Sequence, residues 1–320
     1  MQQVQLTPVE QVRMVVIVDN YYDGLLPGSQ FVQRYGFVQG DGPVVSLPQP
    51  LKAEHGFACY VEISGSATGR QALLYDFGLT QAVYWHNLQA LDLDPFDIGA
   101  LVLSHGHFDH FGGLYRQVEF LSAAGQKGLP LYVGCDTFKR RYINLPGRLV
   151  DLGQLEKERL LSGGVELLEL AQSREILPGI GVIAAVPRVT DFETGSPLLG
   201  VESESGVEQD NFPGELSLAF HVQGKGLVII SACAHAGIAN IILHAQEVFG
   251  LKDVYAVLGG WHLSGAPETR IKQTADFLAG LNPHLVVPMH CSGFAALSLF
   301  ARQFGEAMAL YSVGTEYKIY

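Results

Sequence analysis

Apolar runs of strand length recur along this chain, and several of them end on a polar side chain. Residues 12–18 form a β-branched run that stops at Asp19-Asn20, and residues 58–63 and 72–76 are built alike, so each predicts a buried strand. The pattern then predicts a helix over 82–91, a strand over 100–104, a helix over 112–124 and a short strand over 131–133. A patch of strand follows over 159–169, turning at Gly163-Gly164. A hairpin is read from 216–222, the turn Gln223-Gly224-Lys225-Gly226, and 227–233. From there the chain alternates: helix 238–249, strand 254–258, helix 268–279, strand 285–289.

Two segments break the pattern. Residues 21–54 have no period, are rich in Gly and Pro, and carry Tyr21, Tyr22, Phe31, Tyr35 and Phe37, which reads as an ordered cover or an aromatic contact surface. Residues 186–215 carry Asp191, Glu193, Glu202, Glu204, Glu208, Asp210 and Glu215 and read as a mobile insertion. No short repeat is present, and each half is β-rich first and helical afterwards. This order suits an α/β fold of two sheets packed together with helices outside.

The chain has 320 residues, 48% of them hydrophobic and 16% charged, which excludes a disordered chain and allows a large core in one elaborated domain with insertions near 21–54 and 186–215. Acidic residues outnumber basic ones 32 to 20, for a net charge of -12, so the basic footprint of a general nucleic-acid binder is missing. Four cysteines without a Cys-x-x-Cys pair point to a reducing compartment and not to a disulfide framework, and no basic leader with an apolar core opens the chain, so a cytoplasmic location is expected. The most apolar stretch, 226–243, contains Cys233, His235 and Asn240 and changes from strand-like to helix-like, which argues against a membrane span. The expected partner is a small-molecule substrate, with a phosphorylated one among the options, and the oligomeric state stays open, with a dimer among the options.

Chemistry enters with Ser104-His105-Gly106-His107-Phe108-Asp109-His110, where three imidazoles and a carboxylate occupy six positions after an apolar strand. Four candidate ligands at this spacing point to metal: His105 and His107 can project from one side of an extended strand end while Asp109 and His110 turn toward a second ion. No histidine occurs between His110 and His221, so further ligands must come later. His235 lies just past an apolar strand, whereas His221 and His244 fall inside a strand and a helix. Cys233, two residues earlier on the same face, is either a thiolate ligand in place of a bridging carboxylate or an inert core residue. His290 repeats the strand-then-histidine arrangement. Asp76 reads as a support for the ligand loop behind the ligands themselves. His262, after Gly259-Gly260-Trp261, is expected to face substrate as a proton donor or anion contact. The donors suit two divalent transition-metal ions, zinc foremost and manganese or iron as options.

These residues resemble the metallo-β-lactamase superfamily, whose HxHxDH signature is matched by His105, His107, Asp109 and His110. Within it the chain is similar to the dihydropterin-linked ribofuranosylaminobenzene phosphate synthase-like group, through Glu54-His55-Gly56, Leu103 to His107 with Gly112-Gly113-Leu114, Cys233 to Ile238, Gly259 to Leu263, and His290-Cys291. The resemblance implies a four-layer αβ/βα sandwich with the metals on one edge between the sheets. It also places His55, and Arg188 with Glu193 of the acidic insertion, at a substrate pocket. The superfamily's Pro-Gly-His loop and its strand-ending Gly-Asp are both missing here; the insertion stands in place of the first and Ala232-Cys233 in place of the second.

The leading functional reading is a metal-dependent hydrolase of a small molecule, with Asp109 and His262 taking part in an ester, phosphoester or related cleavage. A metal-assisted phosphoribosyl transfer onto an aromatic amine uses the same ligands. A metal-bound sensor without turnover is the third reading.

Overall fold

The structure is a computed structural model that describes residues 3–36 and 47–320. Phe37, among the aromatic residues of the expected cover, lies outside the described residues. The chain first forms β1 (Gln11–Val18), β2 (Val32–Gln33), β3 (Ala58–Gly65), β4 (Gly69–Tyr75) and helix α1 (Gln81–Ala90). After β5 (Ala100–Val102) come the one-turn helix α2 (Phe108–Phe111) and α3 (Leu114–Ala123), then β6 (Pro130–Gly134) and the hairpin β7 (Arg141–Leu145) and β8 (Arg148–Asp151). Helix α4 (Lys157–Ser162) leads to β9 (Glu166–Leu170), β10 (Arg174–Leu177) and β11 (Ile180–Ile183). Two more hairpins follow, β12 (Leu199–Ser203) with β13 (Gly206–Gln209), and β14 (Ser217–Val222) with β15 (Gly226–Ser231). The rest is α5 (Ile238–Phe249), β16 (Val254–Gly260), α6 (Glu268–Leu281), β17 (Leu285–Met289), α7 (Gly293–Phe304) and β18 (Glu316–Ile319).

Among the described residues one sheet runs β2-β18-β1-β3-β4-β5-β6-β9, a second runs β10-β11-β14-β15-β16-β17, and a small third runs β13-β12-β7-β8. Burial on both faces explains the apolar run 14–18 of β1, which follows the half-buried Arg13. Val12, Met14 and Val16 enter the core between the two large sheets with Leu218, Phe220, Ile230 and Leu258, while Val15 and Ile17 join Leu88, Leu114 and Leu121 beneath the helices on the other face. Ile241, Ala275 and Phe300 of α5, α6 and α7 cover the outer face of the second sheet. The result is the expected four-layer αβ/βα sandwich. No helix among the described residues is long and apolar enough to cross a membrane.

Two expectations are corrected. Residues 159–162, read as the start of a strand, belong to α4, with Leu160 buried and its neighbours exposed or half-exposed; the adjacent Leu160-Leu161 imitates a strand, and the true strand begins at Glu166. The acidic segment 186–215 is built into the fold: β12 pairs with β7 and β13, and Glu193, Asp210 and Glu215 are buried. Its strand β13 is hard to read because it is exposed along its whole length and so carries no apolar alternation, as is β8 in the same small sheet.

Candidate metal centre

Strands β4 and β5 are parallel neighbours, as are β15, β16 and β17, and open α/β sheets gather functional groups beyond the carboxyl ends of such strands. Here those ends carry Asp76, His105, Cys233 with His235, His262, and His290. His105 follows the end of β5; His107 keeps extended backbone as the cap of α2, whose single turn swings Asp109 and His110 inward. Extended chain followed at once by a helical turn separates the donors into two sets.

In one set His105 Nε2 lies 3.0 Å from His107 Nδ1 and 3.2 Å from His235 Nε2. In the other, Asp109 Oδ2 lies 3.4 Å from His290 Nε2, 3.4 Å from His55 Nε2 and 3.8 Å from His110 Nε2. Cys233 Sγ stands 3.3 Å from His110 Nε2. Burial above all pushes the imidazoles of His105, His107 and His235 well below their ordinary 6.5, so they are neutral and able to donate lone pairs. Burial alone would raise Asp109, but His110, His290 and His107 hold it far below the carboxylate range. Burial likewise acts to lower His290, and Cys291 and Asp109 outweigh it to bring the imidazole to about 9. The buried His290 Nε2 makes no hydrogen bond. Neutral imidazoles that converge on one another, an ionised carboxylate and an orphaned ring nitrogen are a donor set that fits divalent ions. Ligand atoms lie within 4.8 Å of one another in each of the groups His105/His107/His235, His105/His110/Cys233, His55/Asp109/His290 and Cys233/His262/Cys291.

The supporting groups fix which ring nitrogen is free. Asp76 accepts from the Ser104 amide at 2.7 Å, the Ser104 hydroxyl at 2.6 Å and His110 Nδ1 at 2.6 Å. Ser104 Oγ in turn takes the proton of His105 Nδ1 at 2.8 Å. Both imidazoles therefore present a bare Nε2 to the site. Asn20 orients the His290 ring, with Oδ1 3.3 Å from Nδ1, so that Nε2 points at the site and would give up its proton to take an ion, and Asp19 accepts the His290 amide at 3.1 Å. Asp76, Ala234, His262 and His290 all adopt left-handed backbone, with φ of 59°, 53°, 44° and 46°, strain of the kind that collects at functional sites.

The acidic segment grips the loop that carries His235. Glu215 accepts the amides of His235 and Ala236 at 2.8 and 2.9 Å, and burial raises its carboxyl to about 7. Phe212 stacks on the His235 ring, centroids 3.8 Å apart and planes 8° from parallel. Arg188 donates to the carbonyls of His235 at 3.0 Å and Asn211 at 2.9 Å. Glu193 accepts the Ala239 and Asn240 amides at 3.1 and 2.9 Å. Arg188 and Glu193 thus stand behind His235 and not along the cavity.

His55 and His262 do line the cavity. His262, half-buried, has its ring 4.4 Å from that of His235, and its amide donates to Cys291 Sγ at 3.2 Å. Cys291 itself lies 3.3 Å from Cys233 Sγ. His244, by contrast, sits away from these donors, against Ser173 Oγ at 3.3 Å. Sequence reasoning missed Asn20, Phe212, Glu215 and the thiol of Cys291. The Asp19-Asn20 doublet, which ends an apolar strand as Asp76 does, was the available signal. The cavity above the donors measures ≈ 940 Å³, with His107, Asp109, His235, His262 and His290 in its lining.

Residues 60–119 match the metallo-β-lactamase superfamily. The chain is 29% identical, over 80% of its length and 87% of the relative, to the 7,8-dihydropterin-6-methyl-4-(β-D-ribofuranosyl)-aminobenzene-5'-phosphate synthase of Methanocaldococcus jannaschii. Its fold is similar to that of a metal-dependent hydrolase of the β-lactamase superfamily, with a TM-score of 0.70 and 22% identity across 97% of this chain and 98% of the other. It is also similar to the metallo-β-lactamase fold protein YhfI from Bacillus subtilis, with a TM-score of 0.52 and 10% identity across 97% and 100%.

Proposed function

We propose that this chain, an enzyme of the metallo-β-lactamase superfamily, is a metal-dependent hydrolase of a small molecule. The observation that carries the reading is the convergence of two donor sets at the base of one cavity. His105, His107 and His235 would hold one divalent ion; Asp109, His110 and His290 would hold a second, with Cys233 between them. Imidazole and thiolate donors favour zinc over harder ions. Such ions supply a Lewis acid for the substrate oxygen and lower the pKa of a water molecule.

The chain's own groups do the rest. Asp109, kept ionised, accepts a hydrogen bond from the attacking water and so orients it. His55, 3.4 Å from Asp109 and open to the cavity, contacts the substrate. The water oxygen bonds to the carbonyl carbon or phosphorus, the bond to the leaving oxygen breaks, and His262 returns a proton to that oxygen. The free thiols, two of them beside these donors, fit a reducing compartment such as the cytoplasm.

Likeness to the synthase supports a second reading, phosphoribosyl transfer onto an aromatic amine at the same donors. Elemental analysis of the purified chain, with His105→Ala and His290→Ala beside it, tests the metal assignment; equal metal in all three would overturn it. Product analysis then separates the reactions: ester or phosphoester cleavage supports the hydrolase, release of diphosphate with an amine acceptor supports the transferase, and tight binding without product leaves a sensor.

A further inference from the structure

The cavity over the donors has two characters. Polar groups occupy its base, while Ile143, Leu152 and Leu199 on one side and Phe294, Leu297 and Met308 on the other make its walls apolar. Phe294, at the start of α7, is 85% exposed, an aromatic ring left in water at a cavity whose size matches that of a drug-sized ligand site. Among the described residues no Lys or Arg lines this space, and segment 37–46 contains neither. The guanidinium groups near the site are already engaged. Arg141, fully buried, pairs with Asp136 and Asp210 at 2.9 Å each, and Arg188 is spent on backbone carbonyls. Proteins that bind phosphoryl groups through side chains use Arg or Lys for the purpose, and these walls offer neither.

We propose that the cavity selects a substrate with an uncharged, apolar acyl or aryl body, its scissile ester seated at the donors, and that Phe294 and Leu297 set this selectivity. The hydrolytic step rests on the function proposed above, whereas the choice of body rests on the walls alone. In that step the water oxygen bonds to the ester carbonyl carbon, the carbon–oxygen bond to the alcohol breaks, and the alcohol oxygen leaves with a proton.

The test separates binding from turnover. Straight-chain alkyl carboxylates of increasing length are titrated into the metal-loaded chain, and affinity should improve about fourfold per added methylene, the ratio that burial of one methylene gives. Phe294→Asp and Leu297→Asp should flatten that dependence with metal content unchanged, and Phe294→Leu should restore most of it. A flat series in the unaltered chain overturns the proposal. A steep series with no hydrolysis of any matching ester would sustain the apolar selectivity and defeat the hydrolase reading, whereas hydrolysis indifferent to chain length would do the reverse.

Discussion

Asp76 concentrates three hydrogen bonds on one buried carboxylate, and two proposed ligands depend on it: His110 directly and His105 through Ser104. Asn fits the left-handed backbone at this position but puts an N–H where an acceptor is needed. Asp76→Asn should therefore keep the fold and weaken metal binding roughly 10- to 100-fold, the usual cost of losing such a partner; chelator competition measures it, and unchanged affinity would remove Asp76 from the site. His262 calls for a different experiment because its ring faces the cavity beside His235 while the thiols of Cys233 and Cys291 lie close behind. His262→Ala should retain full metal content and lose roughly a hundredfold or more in turnover on the true substrate, the scale of a general acid. Metal loss in that variant would make His262 a ligand, and unchanged turnover would make it structural. Each histidine legible in the sequence follows an apolar strand, a purely local signal. Asn20 and Cys291 were not legible as site groups, because what they do depends on contacts with residues 270 and 58 positions away.

At the scale of elements the same contrast recurs. Helix α5 and strand β17 are read from sequence with the bounds the structure gives, since both are buried and strongly apolar. The hairpins β7–β8 and β12–β13 are not, because β8 and β13 are exposed throughout and the four short strands pair only with one another. The start of α5 shows what the acidic segment contributes. No side chain of the α5 cap residue, Gly237, can accept the first amides of the helix, and Glu193, 46 residues before Ala239, accepts them instead. A Cβ at Gly237, where φ is +98°, would collide with the Glu193 carboxylate, so glycine is required there on two counts. Glu193→Ala leaves two buried amides unpaired and should cost about 1–3 kcal/mol in urea unfolding with an unchanged slope. Its effect on metal affinity should be smaller than that of Asp76→Asn, since Glu193 reaches His235 only through the turn. A stability loss within measurement error would return the segment to the status of a surface loop.

For the molecule as a whole, the proposed ligands come from both large sheets: His105, His107, Asp109 and His110 after β5, and Cys233, His235 and His290 after β15 and β17. Each ion held between the halves would stabilise the fold by about 4 kcal/mol at a free concentration a thousandfold above Kd, so chelation of both should lower Tm by on the order of 10 °C. The metal-free fold then exposes its own pH balance. His105, His107 and His235 are held below 6.5 by burial, so beneath that pH the unfolded chain binds protons the native one refuses, and stability falls as pH drops. Asp19 and Glu215, each raised by burial to about 7, act in the opposite sense: their contribution is complete below the ordinary carboxylate values and is lost as pH rises through about 7. His290, raised to about 9, adds stability that is complete below 6.5 and disappears as pH climbs through about 9. His55 and His244, also lowered by burial, act with these three imidazoles, and Glu193 and Asp210, also raised by burial, act with the two carboxylates, while the Cys291 thiol, held well below its ordinary 9 by Cys233 and His290 against burial, adds stability as pH rises toward 9 and so offsets His290. Thermal unfolding in chelator should accordingly lose stability as pH drops below about 6 and change little between about pH 7 and 9. A maximum at about pH 4 would contradict the neutral state of the buried imidazoles, and a steep loss between about pH 7 and 9 would contradict the ionised state of Cys291 beside His290.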